Sequence, residues 1–376
     1  GFRMDVINLI SKDPDLPDST GAGDARIIGG EYFINGPNVL CYLREMREQV
    51  LDRYDVMTVG EAPDVSPEQG LDYVDETDGP LDMLFQFEHM DIDTSEEGFW
   101  SVGEWSLTEL KRILGNWQRR LQGRGWNSLF LNNHDQPRMV SRFGDDESYR
   151  RESAKMLATL LHMLQGTPYV YQGEELGMTN AAFEEISAYR DVATLNYYRR
   201  ATVEEGKSPE EAMEVVRYRS RDNGRSPMQW SGEPQAGFSI GTPWIAVQSN
   251  YPEINAEREI ADPDSVFSYY RRLISLRREH PVIVYGEYED LLPEDESLYL
   301  FRRRGGEEQL FVLLNFCAER MEVPESLLTG LQDGSLLIGN YEDAEQRISF
   351  AGGTAGDGAP IVLRPYEARV YASSVE

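Results

Sequence analysis

The chain has 376 residues, with 66 acidic against 36 basic side chains, a net charge of −30, and 40% hydrophobic and 11% aromatic residues. That charge argues against nucleic acid and anionic membranes as partners, and no apolar run is long enough to span a membrane. The length suggests about two domains with buried cores.

In chain order, the first stretch, GFRMDVINLI (Gly1 to Ile10), reads as a buried β-strand that carries Arg3 and Asp5 inside an apolar run. Residues two apart in a strand share a face, so these two side chains sit side by side. Buried charges are costly unless paired, and an adjacent arginine favours the ionised carboxylate. A structural ion pair and a nucleophile held ionised both satisfy the pattern. Further strands are expected at VMTVGEA (Val56 to Ala62), LDMLFQF (Leu81 to Phe87), SLFLNNHD (Ser128 to Asp135) and TPYVYQGEE (Thr167 to Glu175). Helical patterns at Val39 to Tyr54, Leu107 to Gln122 and Tyr149 to Leu164 lie between them. Strands alternating with helices, and apolar at most positions, argue for parallel βαβ units.

From Gly177 to about Ala261 the pattern breaks into polar helical stretches and the loop-rich RSRDNGRSPMQW. An arginine-rich helix over Ser265 to Glu279 stops at His280-Pro281. From about Val282 the texture becomes short alternating strands separated by Gly, Asp and Pro clusters, the signature of a small antiparallel β domain. The expected boundaries are 1–284 for an α/β domain with a helical and loop insertion at about 177–264, and 285–376 for the β domain.

Four of the 36 cations are lysine (Lys12, Lys111, Lys155, Lys207), leaving 32 arginines, and the acid excess runs along the whole chain. Such a surface repels itself at low salt and is screened at high salt. It reads as a halophilic adaptation to a salty cytoplasm, with an ordinary acidic enzyme as the plainer alternative. Cys41 and Cys317 match no metal or redox spacing and are expected to be buried small hydrophobes. His89 and His162 read as satisfied core or pocket-wall histidines, and no histidine pair has metal-ligand spacing.

Active sites of parallel α/β folds lie at the C-terminal ends of the strands. Polar residues concentrate there in this chain: Asp5, then Glu61, then Asn133, His134 and Asp135. Three carboxylates at three strand ends suggest hydrolysis by paired carboxyl groups. Glu61 is the best candidate for a carboxyl kept partly protonated. Taken singly, Asp5 also fits an ion pair, Glu61 a helix N-terminal carboxylate, and NNHD a loop with local hydrogen bonds.

GFRMDVIN, TVGEA and FLNNHDQPR, in this order, resemble the second, third and fourth signature regions of the α-amylase superfamily of glycoside hydrolases. FQFEHMD, GTPYVYQGEELGM and SRDNGRSPMQW resemble its oligo-1,6-glucosidase and α-glucosidase branch. The resemblance implies a (β/α)8 TIM barrel followed by an antiparallel β-sandwich, and a retaining mechanism on oligosaccharides. It implies Asp5 as nucleophile, Glu61 as general acid/base and Asp135 as the carboxylate that grips sugar hydroxyls. Arg3 would orient the nucleophile, His134 would bind a hydroxyl, and Arg221 would meet the non-reducing sugar, with Arg219 and Arg225 close by. Val6, after the nucleophile, goes in that family with α-1,6 cleavage, so isomaltose and short isomalto-oligosaccharides are the expected substrates, with maltose as a secondary one; a valine that merely packs is the plainer reading.

The family's first signature region, its first three strand–helix units, its inserted domain and a loop where relatives often bind calcium have no counterpart here. Only about strands 4–8 would be present, and five strands cannot close an eight-stranded barrel. The chain is therefore expected to be the C-terminal portion of a longer enzyme, inactive alone, with no cofactor held by this portion and with the missing barrel half as its partner. Trehalose-6-phosphate hydrolase, a sucrose isomerase or other glucosyl-transferring relative, and a non-catalytic binding subunit are the alternatives.

Overall fold

The structure is a computed structural model that describes residues 1–20, 28–95, 98–328, 330–331, 334–344 and 361–375. Five short parallel strands follow one another in chain order: β1 (Phe2–Met4), β2 (Thr58–Glu61), β3 (Met83–Phe85), β4 (Ser128–Leu129) and β5 (Thr167–Pro168). β1 pairs with β2 and β2 with β3, a single bridge between Leu84 and Asn127 leads on to β4, and β4 pairs with β5. Sequential parallel neighbours with helical crossovers make up a β/α succession.

All five strands fall in the first of two compact units, which comprises Gly1–Phe99, Gly103–Leu129 and Gln165–Tyr169. Its core holds Val39 and Leu43 of helix Val39–Gln49, Leu71, Tyr73 and Val74 of helix Pro67–Val74, and Ile113, Trp117 and Leu121 of helix Leu107–Leu121, packed with Leu81 and Leu84. The third helix buries Leu107, Leu110, Leu114 and Trp117 as well, the spacing of one apolar stripe. Serine caps start two of these helices: Ser66 with a reciprocal Gln69 contact and Pro67 next to it, and Ser106 accepting from the Glu109 N–H. Buried amides fix the entry to β5, because Gln118 exchanges two hydrogen bonds with the Gln165 backbone (2.8 and 2.9 Å) and Asn127 donates to the Gln165 side chain (2.6 Å).

The strands are shorter than the apolar runs. The first ends at Met4, Val6 turns left-handed (φ 35°, ψ 46°), and Ile7–Leu9 forms a 3₁₀ turn. The run Val6 to Ile10 is therefore not strand: Asn8, fully buried, ties the turn down by donating to the Pro63 carbonyl (2.7 Å) and to Asn35 Oδ1 (3.1 Å). Nor is the strand buried, since β1 pairs on one side only among the described residues and Phe2 is 57% exposed.

The second unit comprises Trp100–Val102, Phe130–Leu164 and Val170–Glu376. Its strands β6 (Glu287–Asp290), β7 (Leu298–Gly305), β8 (Glu308–Asn315), β9 (Met321–Glu322), β10 (Ser335–Gly339), β11 (Val362–Leu363) and β12 (Ala368–Ser374) form a five-stranded antiparallel sheet in the order β10-β12-β8-β7-β6 and a β9–β11 pair. Leu300, Phe311, Leu313 and Tyr371 meet Val323 and Leu363 on one face. Tyr299, Phe301, Leu310, Val312 and Leu314 are equally buried; helix Pro281–Tyr285 touches β7 and β8, and helix Arg150–His162 touches β8 and β12. Central strands covered on both faces lose the in–out alternation of a half-exposed sheet.

Arg138, also in this unit, is fully enclosed and donates to the carbonyls of Gln172, Asn223 and Gly224. Burial lowers its pKa to about 10. Beside it Glu174, 2% exposed, accepts from the Tyr270 hydroxyl at 2.7 Å. Burial pushes this carboxyl up to about 7. His162 is a satisfied core histidine in part: its Nδ1 bonds the Ala158 carbonyl (2.9 Å), and burial lowers its pKa to about 4. His89, in the first unit, bonds Gln86 at 2.9 Å. Cys41 departs from expectation and lies exposed on helix Val39–Gln49, while Cys317 is half-buried.

Candidate active site

Parallel pairing of β1 with β2 sets Arg3 against Val59 and Met4 against Gly60, which brings the residues after Met4 alongside Glu61. Arg3 Nη2 lies 2.7 Å from Glu61 Oε2, and Arg3 Nη1 pairs with Asp5. One guanidinium therefore holds two carboxyl groups. The Val6 N–H donates to the same Glu61 Oε2 at 3.2 Å. The two carboxyl groups differ in environment. Asp5 is 78% exposed, contrary to the buried pair expected, whereas Glu61 is 13% exposed. Burial raises the Glu61 pKa; the Val6 N–H and Arg3 oppose the rise and Asp5 adds to it. A carboxyl that protonates readily beside one in water is the electrostatic pattern of an acid paired with an anion.

Gly60 contributes through packing. A Cβ there would stand 2.6 Å from Leu81 Cδ1 and 2.9 Å from Ile7 Cγ2. The missing side chain thus makes room for the apolar core behind Glu61. Val6 adds strain, since a β-branched residue at positive φ costs about 1–3 kcal/mol.

A second cluster forms in the other unit, where the chain leaves β4 through Asn132 to Asp135. Asn133 Oδ1 accepts from the Asp135 N–H (2.7 Å), an Asx turn that fixes the carboxylate. Arg225 is the close partner: Nη2 pairs with Asp135 Oδ1 and Nε donates to the His134 carbonyl at 2.9 Å. Arg221 Nη1 stands 3.8 Å from Asp135 Oδ2, and His134 Nε2 3.7 Å from Oδ1. Arg225 Nη1 also faces Asp191 at 3.7 Å. Gly224 permits this approach, because a Cβ on it would stand 2.7 and 2.8 Å from the carbonyls of Asn133 and Gln136. Arg219 is buried and donates to the Ser101 carbonyl (2.8 Å).

The structure thus gathers Arg3, Asp5, Val6 and Glu61 in one unit and His134, Asp135 and Arg221 in the other. Sequence reasoning gave Arg225 no role of its own and passed over Asp191 and the buried Arg138. Three arginines within seven residues, Arg219, Arg221 and Arg225, cannot be ranked without knowing the turn between them. Among the described residues no group of three or more His, Cys, Asp or Glu side chains is arranged to hold a metal ion, and no helix is long and apolar enough to cross a membrane.

Comparison with known proteins places these clusters in a family context. The alpha-amylase family profile, described as "Alpha amylase, catalytic domain", matches residues 1–286. The oligo-1,6-glucosidase of Parageobacillus thermoglucosidasius is 51% identical over 374 residues, 99% of this chain and 65% of that protein. The crystal structure of Bacillus licheniformis trehalose-6-phosphate hydrolase is 44% identical with a TM-score of 0.88, over 100% of this chain and 65% of that one. The isomaltulose synthase of Klebsiella sp. LX3 is 34% identical with a TM-score of 0.87, over 98% and 64%. The chain spans about two thirds of the length of these proteins.

Proposed function

The chain belongs to the alpha-amylase catalytic-domain family, and from that premise we propose that it is part of a retaining α-glucosidase that hydrolyses α-1,6 linkages of isomaltose and short isomalto-oligosaccharides, with α-1,4 activity as a secondary capacity. The TIM-barrel catalytic domain of that family accounts for the five parallel strands, and the antiparallel sheet follows it. We read β1 to β5 as the fourth to eighth barrel strands. The one-sided pairing of β1 and its exposed Phe2 support this reading: an open parallel edge is a surface that another strand completes.

The observation that carries the proposal is the Arg3 guanidinium shared by Asp5 and Glu61, one exposed and one desolvated. In the proposed reaction the Asp5 carboxylate attacks the anomeric carbon while Glu61 gives its proton to the departing glycosidic oxygen. The C–O bond breaks and a covalent glucosyl–Asp5 ester forms. Glu61, now a carboxylate, takes a proton from water, which attacks the same carbon and releases Asp5. Asp135, clamped by Arg225, grips sugar hydroxyls with His134 and Arg221, and Val6 shapes the leaving-sugar pocket. The −30 net charge supports work in a salty cytoplasm.

Asp5→Asn in the full-length protein is expected to lower kcat on isomaltose by at least about 10³-fold with unfolding unchanged. Wild-type turnover in that variant overturns the nucleophile assignment, and an enzyme that cleaves maltose but leaves isomaltose intact overturns the linkage. Trehalose-6-phosphate hydrolysis is a second reading, supported by the likeness to the Bacillus licheniformis structure; relative rates on trehalose 6-phosphate and isomaltose separate the two. Product analysis with sucrose tests for an isomerase.

A further inference from the structure

A main-chain donor and a cation converge on one oxygen of Glu61. Arg3 Nη2 reaches Oε2 at 2.7 Å and the Val6 N–H reaches the same atom at 3.2 Å. The Val6 amide is free to do so because the chain has left the β1 ladder at Met4. The left-handed turn at Val6 then carries the backbone into Ile7–Leu9, closed by the Leu9 N–H on the Val6 carbonyl (3.0 Å). Two residues beyond Val6, the buried Asn8 side chain donates to the carbonyl of Pro63, two residues beyond Glu61 (2.7 Å). The turn is thus joined to the acid-bearing segment at two points, one on the carboxyl itself and one just past it.

From this cross-brace we infer that the Val6–Asn8 turn is the positioning element of the acid/base: the Val6 main-chain N–H and the Asn8 carboxamide hold Glu61 so that Oε2 faces the Val6 N–H and the Arg3 charge and Oε1 carries the catalytic proton. The inference rests on the α-glucosidase reading and gives Val6 a role through its backbone, separate from any role of its side chain in linkage preference. Oε2 accepts from the Val6 N–H and faces the Arg3 charge, so a proton arriving at Oε2 opposes both while a proton at Oε1 opposes neither. The charged groups acting on this carboxyl are Arg3, which favours the anion, and Asp5, which favours the acid. The Val6 N–H acts with Arg3, and a strained residue holding it is a geometry the surroundings must enforce.

The test replaces the Val6 amide by an ester in the full-length protein, using the α-hydroxy analogue of valine, which removes the N–H and keeps the side chain. Losing a donor to the anion raises the Glu61 pKa. The alkaline limb of kcat/KM on isomaltose is therefore expected to move up by about one pH unit and kcat to fall about tenfold, with KM within about twofold of wild type. Val6→Ala, which keeps the N–H, is expected to leave that limb in place. Asn8→Ala is expected to move the limb in the same direction by less, and it carries the test if the ester protein does not fold. An ester protein, or failing that Asn8→Ala, with the wild-type limb overturns the inference. Failure of the underlying reading looks different: Glu61→Gln would then retain wild-type activity.

Discussion

Glu174→Gln isolates the buried carboxyl beside Arg138. In water a glutamate ionises near 4.5, and in the folded chain Glu174 is pushed up to about 7. Below pH 4.5 both states are protonated and the group leaves stability unchanged. Between 4.5 and 7 the folded chain keeps the proton that the unfolded chain has released, so stability falls as pH rises through this window and levels off above 7. Each pKa unit corresponds to about 1.4 kcal/mol, so ionisation of Glu174 costs up to about 3 kcal/mol by pH 8. Glutamine keeps the shape and can accept from Tyr270, but its NH2 sets a donor against the Tyr171 N–H, which sits 3.4 Å from Glu174 Oε2. That mismatch costs about 1 kcal/mol at every pH. The variant is therefore expected to be slightly weaker than wild type at pH 5 and stronger by about 2 kcal/mol at pH 8. Urea unfolding at the two pH values measures both differences. A stability difference that stays constant from pH 5 to 8 would refute the reasoning, because it would mean that Glu174 is already ionised in the fold.

Two glycines give further tests. Gly60→Ala places a methyl group against Leu81 and Ile7, and overpacking of that kind costs about 1–3 kcal/mol; a lowered urea midpoint with an unchanged slope is expected. Gly224→Ala sets a Cβ against the carbonyls of Asn133 and Gln136. That displaces the Asp135–Arg225 pair by a fraction of an ångström and is expected to lower kcat/KM on isomaltose about 10- to 100-fold. Wild-type kinetics in Gly224→Ala would show that this pair tolerates movement.

The order of the parallel strands and the helices between them were legible because doubly covered strands are apolar throughout and amphipathic helices keep a 3.6-residue period. The carboxyl groups at the strand ends stood out because polar residues there have no role in the core. The turn at Val6 was not legible. An apolar run that continues past the end of a strand carries no local mark of a left-handed residue, and Asn8 is held by Pro63 and Asn35, which are distant in sequence. The precedence of Arg225 over Arg221 at Asp135 depends on how the backbone at Gly224 stacks on the Asn133–Gln136 turn, again a tertiary contact. The exposure of Cys41 depends on which face of its helix meets the core; a small side chain beside Leu40 and Leu43 does not announce it.

The double covering of β7 and β8 bears on how this part of the molecule could be inherited or exchanged. β7 and β8 touch helices that precede the sheet in the chain, and Asn340 next to β10 donates to the Glu152 carbonyl inside one of those helices (3.0 Å). A recombination event that swapped the carboxy-terminal sheet alone would leave an oily slab on both partners. Viable chimaeras are expected to carry helices Arg150–His162 and Pro281–Tyr285 along with the strands, and the two are expected to melt in one transition.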